Sequence, residues 1–193
     1  MRIRNIKVGR LATNCYIVFD DIKEALVIDP GEEPEKILPE LVDLKPQLIV
    51  LTHGHYDHAT HCGVLKEKLN IPIAIHEDEI KMLAFATRTK ADRLLKDGEI
   101  IEVGCLKFEV ISTPGHTRGG LCLYNKEHGV LFSGDTLFAG TCGRCDFPTG
   151  SEEEMAASLR KLLALPPETR VLPGHGRETS IAAERCLINE YGL

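Results

Sequence analysis

No apolar run in the 193 residues is long enough to span a bilayer, which argues against a membrane-embedded function. The first residues, Met1-Arg-Ile-Arg-Asn-Ile-Lys7, alternate charged and apolar side chains. The apolar core of a secretory leader is therefore missing, and a cytoplasmic location is expected. An excess of basic charge is also lacking. The net charge is −6, so neither nucleic acid nor an anionic membrane surface is an expected partner. Cysteines number seven, without paired spacing, which speaks for reduced thiols over a disulfide framework. Repeats, low-complexity tracts and linkers are absent as well. At this length, with 43% hydrophobic and 27% charged residues, a single packed domain over residues 1–193 is expected.

What the chain does contain is concentrated in Leu48-Ile-Val-Leu-Thr-His-Gly-His-Tyr-Asp-His58. Leu48 to Leu51 read as a short buried strand. Side-chain alternation along an extended segment would place His53, His55 and Asp57 on one side, with His58 at the turn into a helix. Imidazole and carboxylate ligands so closely spaced at a strand end point to a metal site. Three later segments repeat the device: His116 in Ser112-Thr-Pro-Gly-His-Thr117, Asp135 in Phe132-Ser-Gly-Asp-Thr136, and His175 in Leu172-Pro-Gly-His-Gly176. Each sits in a Gly- or Pro-flanked turn after a predicted strand. Five His and two Asp suit two ions sharing one carboxylate.

Period-two patterning predicts strands over Arg2–Val8, Asn14–Phe19 and Ala25–Ile28, and again over Pro72–Ile75, Ile100–Val103, Leu106–Ile111, Leu121–Tyr124, Val130–Ser133 and Arg170–Leu172. Helices are predicted over Pro34–Leu44, Ala59–Leu69, His76–Lys96, from Ser151 to the Pro166-Pro167 stop, and over Thr179–Tyr191. Ser151-Glu-Glu-Glu154 reads as a reciprocal capping box. Strands in two batches, each followed by helices, imply two packed sheets with helices outside.

These motifs resemble the metallo-β-lactamase superfamily over essentially the whole chain: His53-x-His55-x-Asp57-His58, His116, Asp135 and His175, in that order. The resemblance implies an α+β, four-layer αββα sandwich. It assigns His53, His55 and His116 to one ion and Asp57, His58 and His175 to the other, with Asp135 bridging. It also makes Asp29 of Ile28-Asp-Pro-Gly31 a buttress of the histidine loop. Within the superfamily, His116-Thr117-x-Gly119, Gly134-Asp-Thr-Leu-Phe138 and Gly143-Arg-x-Asp146-Phe147 are similar to short glyoxalase II-type enzymes. With only residues 176–193 after His175, their C-terminal glutathione-binding helical domain is not expected.

The resemblance implies hydrolysis of a small acyl thioester by water activated between two divalent ions. Zinc is favoured, and iron or manganese suits the same ligands. Asp57 could relay a proton. The Gly-Arg-x-Asp-Phe stretch also resembles mononuclear-iron persulfide dioxygenases, whose ligands would correspond to His53, His116 and Asp135. A non-catalytic binding protein of the same fold would show a missing ligand, and none is missing. Nucleases of this fold bring basic surfaces, and the related zinc β-lactamases are secreted, so both fit less well.

Arg144 is a candidate for binding an anionic substrate end, against an ion pair with Asp146. Tyr56 and Phe138 are candidates for lining the pocket. His61 reads as supporting or exposed, and His76 and His128 as surface residues. Cys142-x-x-Cys145 reads as two loop thiols more readily than as a redox or zinc pair, and Cys15, Cys62, Cys105, Cys122 and Cys186 as core.

Overall fold

Alternation along one strand shows how the layers arise. In β2 (Thr13–Phe19) every residue is buried. Cys15, Ile17 and Phe19 face one core, while Tyr16 and Val18 face another. A strand covered on both faces needs apolar side chains at odd and even positions alike, and this one supplies them.

The structure, a computed structural model, describes residues 1–185. The first sheet runs β1 (Arg2–Val8), β2, β3 (Glu24–Ile28), β4 (Lys45–Val50), β5 (Ile73–His76) and β6 (Arg93–Leu95), in that order across the sheet. β1 to β3 are antiparallel, and β3 to β6 parallel. Parallel neighbours need crossovers, supplied by α1 (Pro34–Ile37), α2 (Tyr56–Ala59), α3 (Cys62–Leu69) and α4 (Ile80–Thr87). The second sheet contains β7 (Ile100–Val103), β8 (Leu106–Ser112), β9 (Leu121–Asn125), β10 (Val130–Gly134), β13 (Arg170–Pro173) and β14 (Thr179–Ser180), in the spatial order β14-β13-β10-β9-β8-β7. A separate hairpin pairs β11 (Leu137–Phe138) with β12 (Thr141–Cys142). α5 (Glu152–Leu163) and α6 (Ile181–Glu184) cover the second sheet's outer face through Met155, Leu159, Leu162 and Ile181. The expected αββα sandwich is the observed fold.

The middle core locks the sheets together. Tyr16 packs edge-on to Phe132 at 5.3 Å between ring centroids, and Phe108 lies 6.3 Å from the same ring. Tyr16 Oη donates to the Pro173 carbonyl at 2.7 Å, which holds the turn before His175 against the first sheet. β8, β10 and β13 run in one direction, because β8 and β10 are each antiparallel to β9 and β13 is parallel to β10. Their carboxyl ends, which carry His116, Asp135 and His175, therefore share one edge.

Several expectations are corrected. The Pro34–Leu44 helix is one turn of α-helix followed by a 3-10 turn at Leu38–Leu41, because Pro39 has no amide to continue the ladder. Ala59–Leu69 is two helices, α2 and α3, broken at Thr60-His61. The polar helix expected over His76–Lys96 is only α4. A 3-10 turn precedes it at Glu77–Glu79, and β6 follows as an edge strand. Thr179–Ser180 is extended and the helix starts at Ile181; the expected continuation to Tyr191 lies outside the described residues beyond 185.

Half of the capping box forms. Ser151 Oγ accepts from the Glu154 amide at 3.2 Å, but the Ser151 amide donates to Gly115 O at 2.8 Å rather than to Glu154. Cys15, Cys62 and Cys122 are buried, whereas Cys105 is exposed on the β7–β8 turn; Cys186 lies outside the described residues. His128 is exposed, but His76 is half-buried, its ring accepting from the Asp78 amide.

Candidate metal centre

β4 ends at Val50, and the chain then turns away from the sheet before α2 begins at Tyr56. Strand alternation therefore does not extend to Asp57. His53 and His55 lie in the irregular stretch, while Asp57 and His58 occupy the first turn of α2. That break sends the donors of one motif to two places. Three sets of donor atoms approach within 4.8 Å of one another: His53, His55 and His116; His53, His58 and Asp135; and Asp57, His58 and His175. These are all seven residues singled out as ligands in the sequence, gathered from four loops.

The other ring nitrogens determine which way the lone pairs face. Asp29 Oδ1 accepts from the Thr52 amide at 2.7 Å, and its Oδ2 accepts from Thr52 Oγ1 at 2.7 Å. Having donated its hydrogen, the Thr52 hydroxyl acts as acceptor for His53 Nδ1–H, 3.1 Å away. The same Asp29 Oδ2 accepts from His58 Nδ1 at 3.0 Å. His116 Nδ1 donates to Arg144 O at 2.8 Å, and His175 Nδ1 to Leu11 O at 3.2 Å. In all four rings Nε2 is the atom left facing the cluster, the orientation that metal-bound histidines require.

The inward atoms fit a cation. His116 Nε2 lies 2.9 Å from His55 Nδ1, and His58 Nε2 lies 3.2 Å from His175 Nε2. Lone pairs at such distances repel unless a positive charge lies between them. His53 Nε2 and Asp135 Oδ1 are buried without a hydrogen-bond partner, and leaving such atoms unsatisfied costs about 1–3 kcal/mol each. A mixed imidazole and carboxylate set accepts zinc, iron or manganese.

The field inside the cluster is correspondingly uneven. Burial, then repulsion from neighbouring imidazoles, pushes His53 well below the usual histidine value and His55 down to about 4. Burial also opposes charge on His58, but Asp135 and Asp29 outweigh it and raise that ring to about 9. His175 is raised against burial by its hydrogen bond to Asp57, whose carboxyl is lowered in turn. The carboxylates thus draw positive charge to the Asp57, His58 and His175 side.

Two close approaches depend on glycine. A Cβ at Gly31 would overlap the Asp57 carbonyl oxygen. One at Gly174 would overlap Asp135 Oδ1 and lie 2.7 Å from His58 Cε1. Asp29 itself has φ 51°, the left-handed region that Asp tolerates better than most residues.

Some supporting residues carried no signal in the sequence. Glu79 is buried beneath the site. Its Oε2 accepts from the Gly54 amide and its Oε1 from the Gly119 amide, both at 2.8 Å, so one carboxylate joins the two loops that carry His53, His55 and His116. Thr13 Oγ1 donates to Asp57 Oδ2 at 2.9 Å. His61, half-buried, supports the loop differently: its amide donates to Gly31 O at 2.8 Å.

A cavity of about 870 Å³ opens over the cluster, with His55, Asp57, His116, Asp135 and His175 in its lining. Tyr56, Phe138 and Arg144 also line it. Arg144, however, forms the ion pair that was its alternative role: Nε and Nη2 each reach Asp146 at 2.6 Å. Cys142 and Cys145 sit half-buried beside this loop and are not joined in a disulfide.

The profile of the metallo-β-lactamase superfamily matches residues 8–175, and the chain belongs to that superfamily, a class of metal-dependent hydrolases. It is 34% identical to hydroxyacylglutathione hydrolase GloC of Haemophilus influenzae, over 96% of this chain and 95% of that protein. Among solved structures it resembles BLEG-1, a B3 metallo-β-lactamase (TM-score 0.90, 34% identity, 95% of this chain and 96% of that one). It also resembles TTHA1623 in a di-iron-bound form (TM-score 0.84, 37% identity, 94% and 96%). ETHE1 from Myxococcus xanthus matches at TM-score 0.86 and 30% identity, over 96% and 82% of the two chains.

Proposed function

We propose that the protein hydrolyses acyl thioesters, with one divalent ion held by His53, His55 and His116, a second by Asp57, His58 and His175, and Asp135 between them. The convergence of Nε2 lone pairs, each set by an acceptor on the opposite ring nitrogen, carries the metal assignment. The likeness to a hydroxyacylglutathione hydrolase supports the thioester class. Bound divalent ions would polarise a carbonyl and make water nucleophilic near neutral pH. In the reaction water adds its oxygen to the acyl carbon, the C–S bond breaks, and sulfur leaves as thiolate with water's proton released.

The chain's own groups hold this arrangement. Asp29 and Thr52 orient His53 and His58, the Arg144 carbonyl orients His116, and Thr13 holds Asp57. Asp57, which lines the cavity, is the candidate to relay a proton from the attacking water. Tyr56 and Phe138 border the site and restrict where substrate enters.

The complete set of Asp57, His58 and His175, drawn together within 4.8 Å, favours this reading over a mononuclear iron dioxygenase, which needs only three ligands. Zinc-loaded protein should cleave thioesters without oxygen. Asp135→Ala should lower metal content and reduce turnover by at least about a hundredfold, the scale on which loss of a key charge-stabilising group acts. Rapid oxygen uptake with a persulfide by the iron form, beside negligible thioester cleavage by the zinc form, would overturn the proposal.

A further inference from the structure

The mouth of the cavity is apolar, and its one strong cation is already engaged. Leu11, Tyr56, Met82, Phe85, Phe138 and Phe147 surround the donor cluster. Phe147 lies 5.4 Å from the His55 ring and 6.2 Å from His116, while Phe138 lies 6.2 Å from His175 on the other side. Phe85 is 93% exposed and Tyr56 57%. Single exposed apolar side chains are ordinary, but a group of them around a concave site marks a binding surface. Met82 and Phe85 come from one face of α4, three residues apart, and packing of the sheet does not require Phe85 there.

Arg144 is the one Lys or Arg among the described lining residues. Its fork is filled by Asp146, and its guanidinium carbon lies 4.3 Å from the centroid of the Phe147 ring. A carboxylate on the substrate would have to displace Asp146 to gain that partner. A thiol carrier with several carboxylates, such as glutathione, finds no other Lys or Arg among those lining residues.

Resting on the thioester reading above, we infer that the substrate is an uncharged, apolar thioester whose hydrocarbon part occupies the surface formed by Tyr56, Met82, Phe85 and Phe147. The cavity volume is within the range that accommodates a whole small ligand, so an aryl or medium-length alkyl group has room beside the scissile carbonyl.

The test uses two substrate series with metal-loaded protein. In one, N-acetylcysteamine thioesters carry acyl groups from acetyl to octanoyl. In the other, acetyl thioesters carry glutathione, N-acetylcysteamine or alkanethiols of increasing length. We expect kcat/KM to rise about two- to fourfold per methylene along one series, as partial to full burial of a CH2 requires, and glutathione to be the poorest carrier. The series that rises shows which side of the carbonyl lies on Phe85. Phe85→Ser should flatten the slope and Phe85→Trp should restore it.

Calorimetry with the uncleavable thioether S-octyl-N-acetylcysteamine gives a readout independent of turnover, with affinity expected to fall about tenfold in Phe85→Ser. If no thioester is cleaved but this thioether binds through Phe85, the surface assignment stands and the hydrolase reading fails. If thioesters are cleaved with no dependence on chain length, or glutathione is the best carrier, the hydrolase reading stands and the apolar surface is refuted. A chain that self-associates through Phe85, with slopes unchanged by Phe85→Ser, would likewise refute it.

Discussion

Asp29 shows how much one side chain can determine. It sits at φ 51° immediately after β3, and its two oxygens accept from the Thr52 amide, the Thr52 hydroxyl and His58 Nδ1. Through these bonds it orients two histidines that the proposal assigns to different ions. Asp29→Asn would keep the shape but turn one acceptor into a donor facing other donors. Ion affinity should then fall about tenfold to a hundredfold, the usual cost of losing a partner that orients a metal-bound histidine. Competition with a chelator measures this directly, and an unchanged affinity would remove Asp29 from the supporting role.

Elements act through the loops they pin. The 3-10 turn at Glu77–Glu79 is short, yet it carries the carboxylate that joins the Gly54 and Gly119 amides. Glu79→Gln presents an NH2 to one of those amides, and Glu79→Ala leaves both without a partner. Each unsatisfied buried amide costs about 1–3 kcal/mol, so both variants should melt earlier, Ala more than Gln. Beyond stability, the set of His53, His55 and His116 should lose its ion first, because its two loops are then no longer tied. Metal stoichiometry alongside the melting temperature separates the two effects. A full complement of metal in Glu79→Ala would confine Glu79 to a purely structural part.

Across the whole molecule, Asp20 connects the two sheets at the end of β2. Its Oδ1 accepts from the Ile22 and Glu24 amides and its Oδ2 from the Cys105 amide on the β7–β8 turn, all at 3.0 Å. Burial alone would raise its pKa, but the amide hydrogen bonds, led by that of Cys105, outweigh it and hold the carboxyl below its usual value. A lowered folded-state pKa means that the ionised form stabilises the fold. That contribution is complete above the ordinary aspartate value of about 3.9 and is lost as pH falls through the lower folded value. Asp20→Asn should therefore be less stable near neutrality, by about 1–3 kcal/mol. The gap between variant and parent should narrow on acidification below roughly pH 4. Urea titrations at pH 7 and pH 3 test this, and an equal gap at both would disprove the charge-dependent link.

The seven donors, their order and the strands that precede them are legible in the residue pattern alone. Metal binding requires particular side chains, and buried strands require uninterrupted apolar residues, so both leave marks that can be read locally. Strand alternation nonetheless groups Asp57 with His53, because nothing local marks where β4 gives way to α2. Packing alone reveals which loops meet, that Glu79 holds two of them, that Arg144 is occupied by Asp146, and that α4 contributes Phe85 to the mouth of the site. The Glu79–Gly119 bond spans 40 residues and the Tyr16–Pro173 bond spans 157. Such contacts depend on how distant elements stack, and the pattern within any single segment does not encode them.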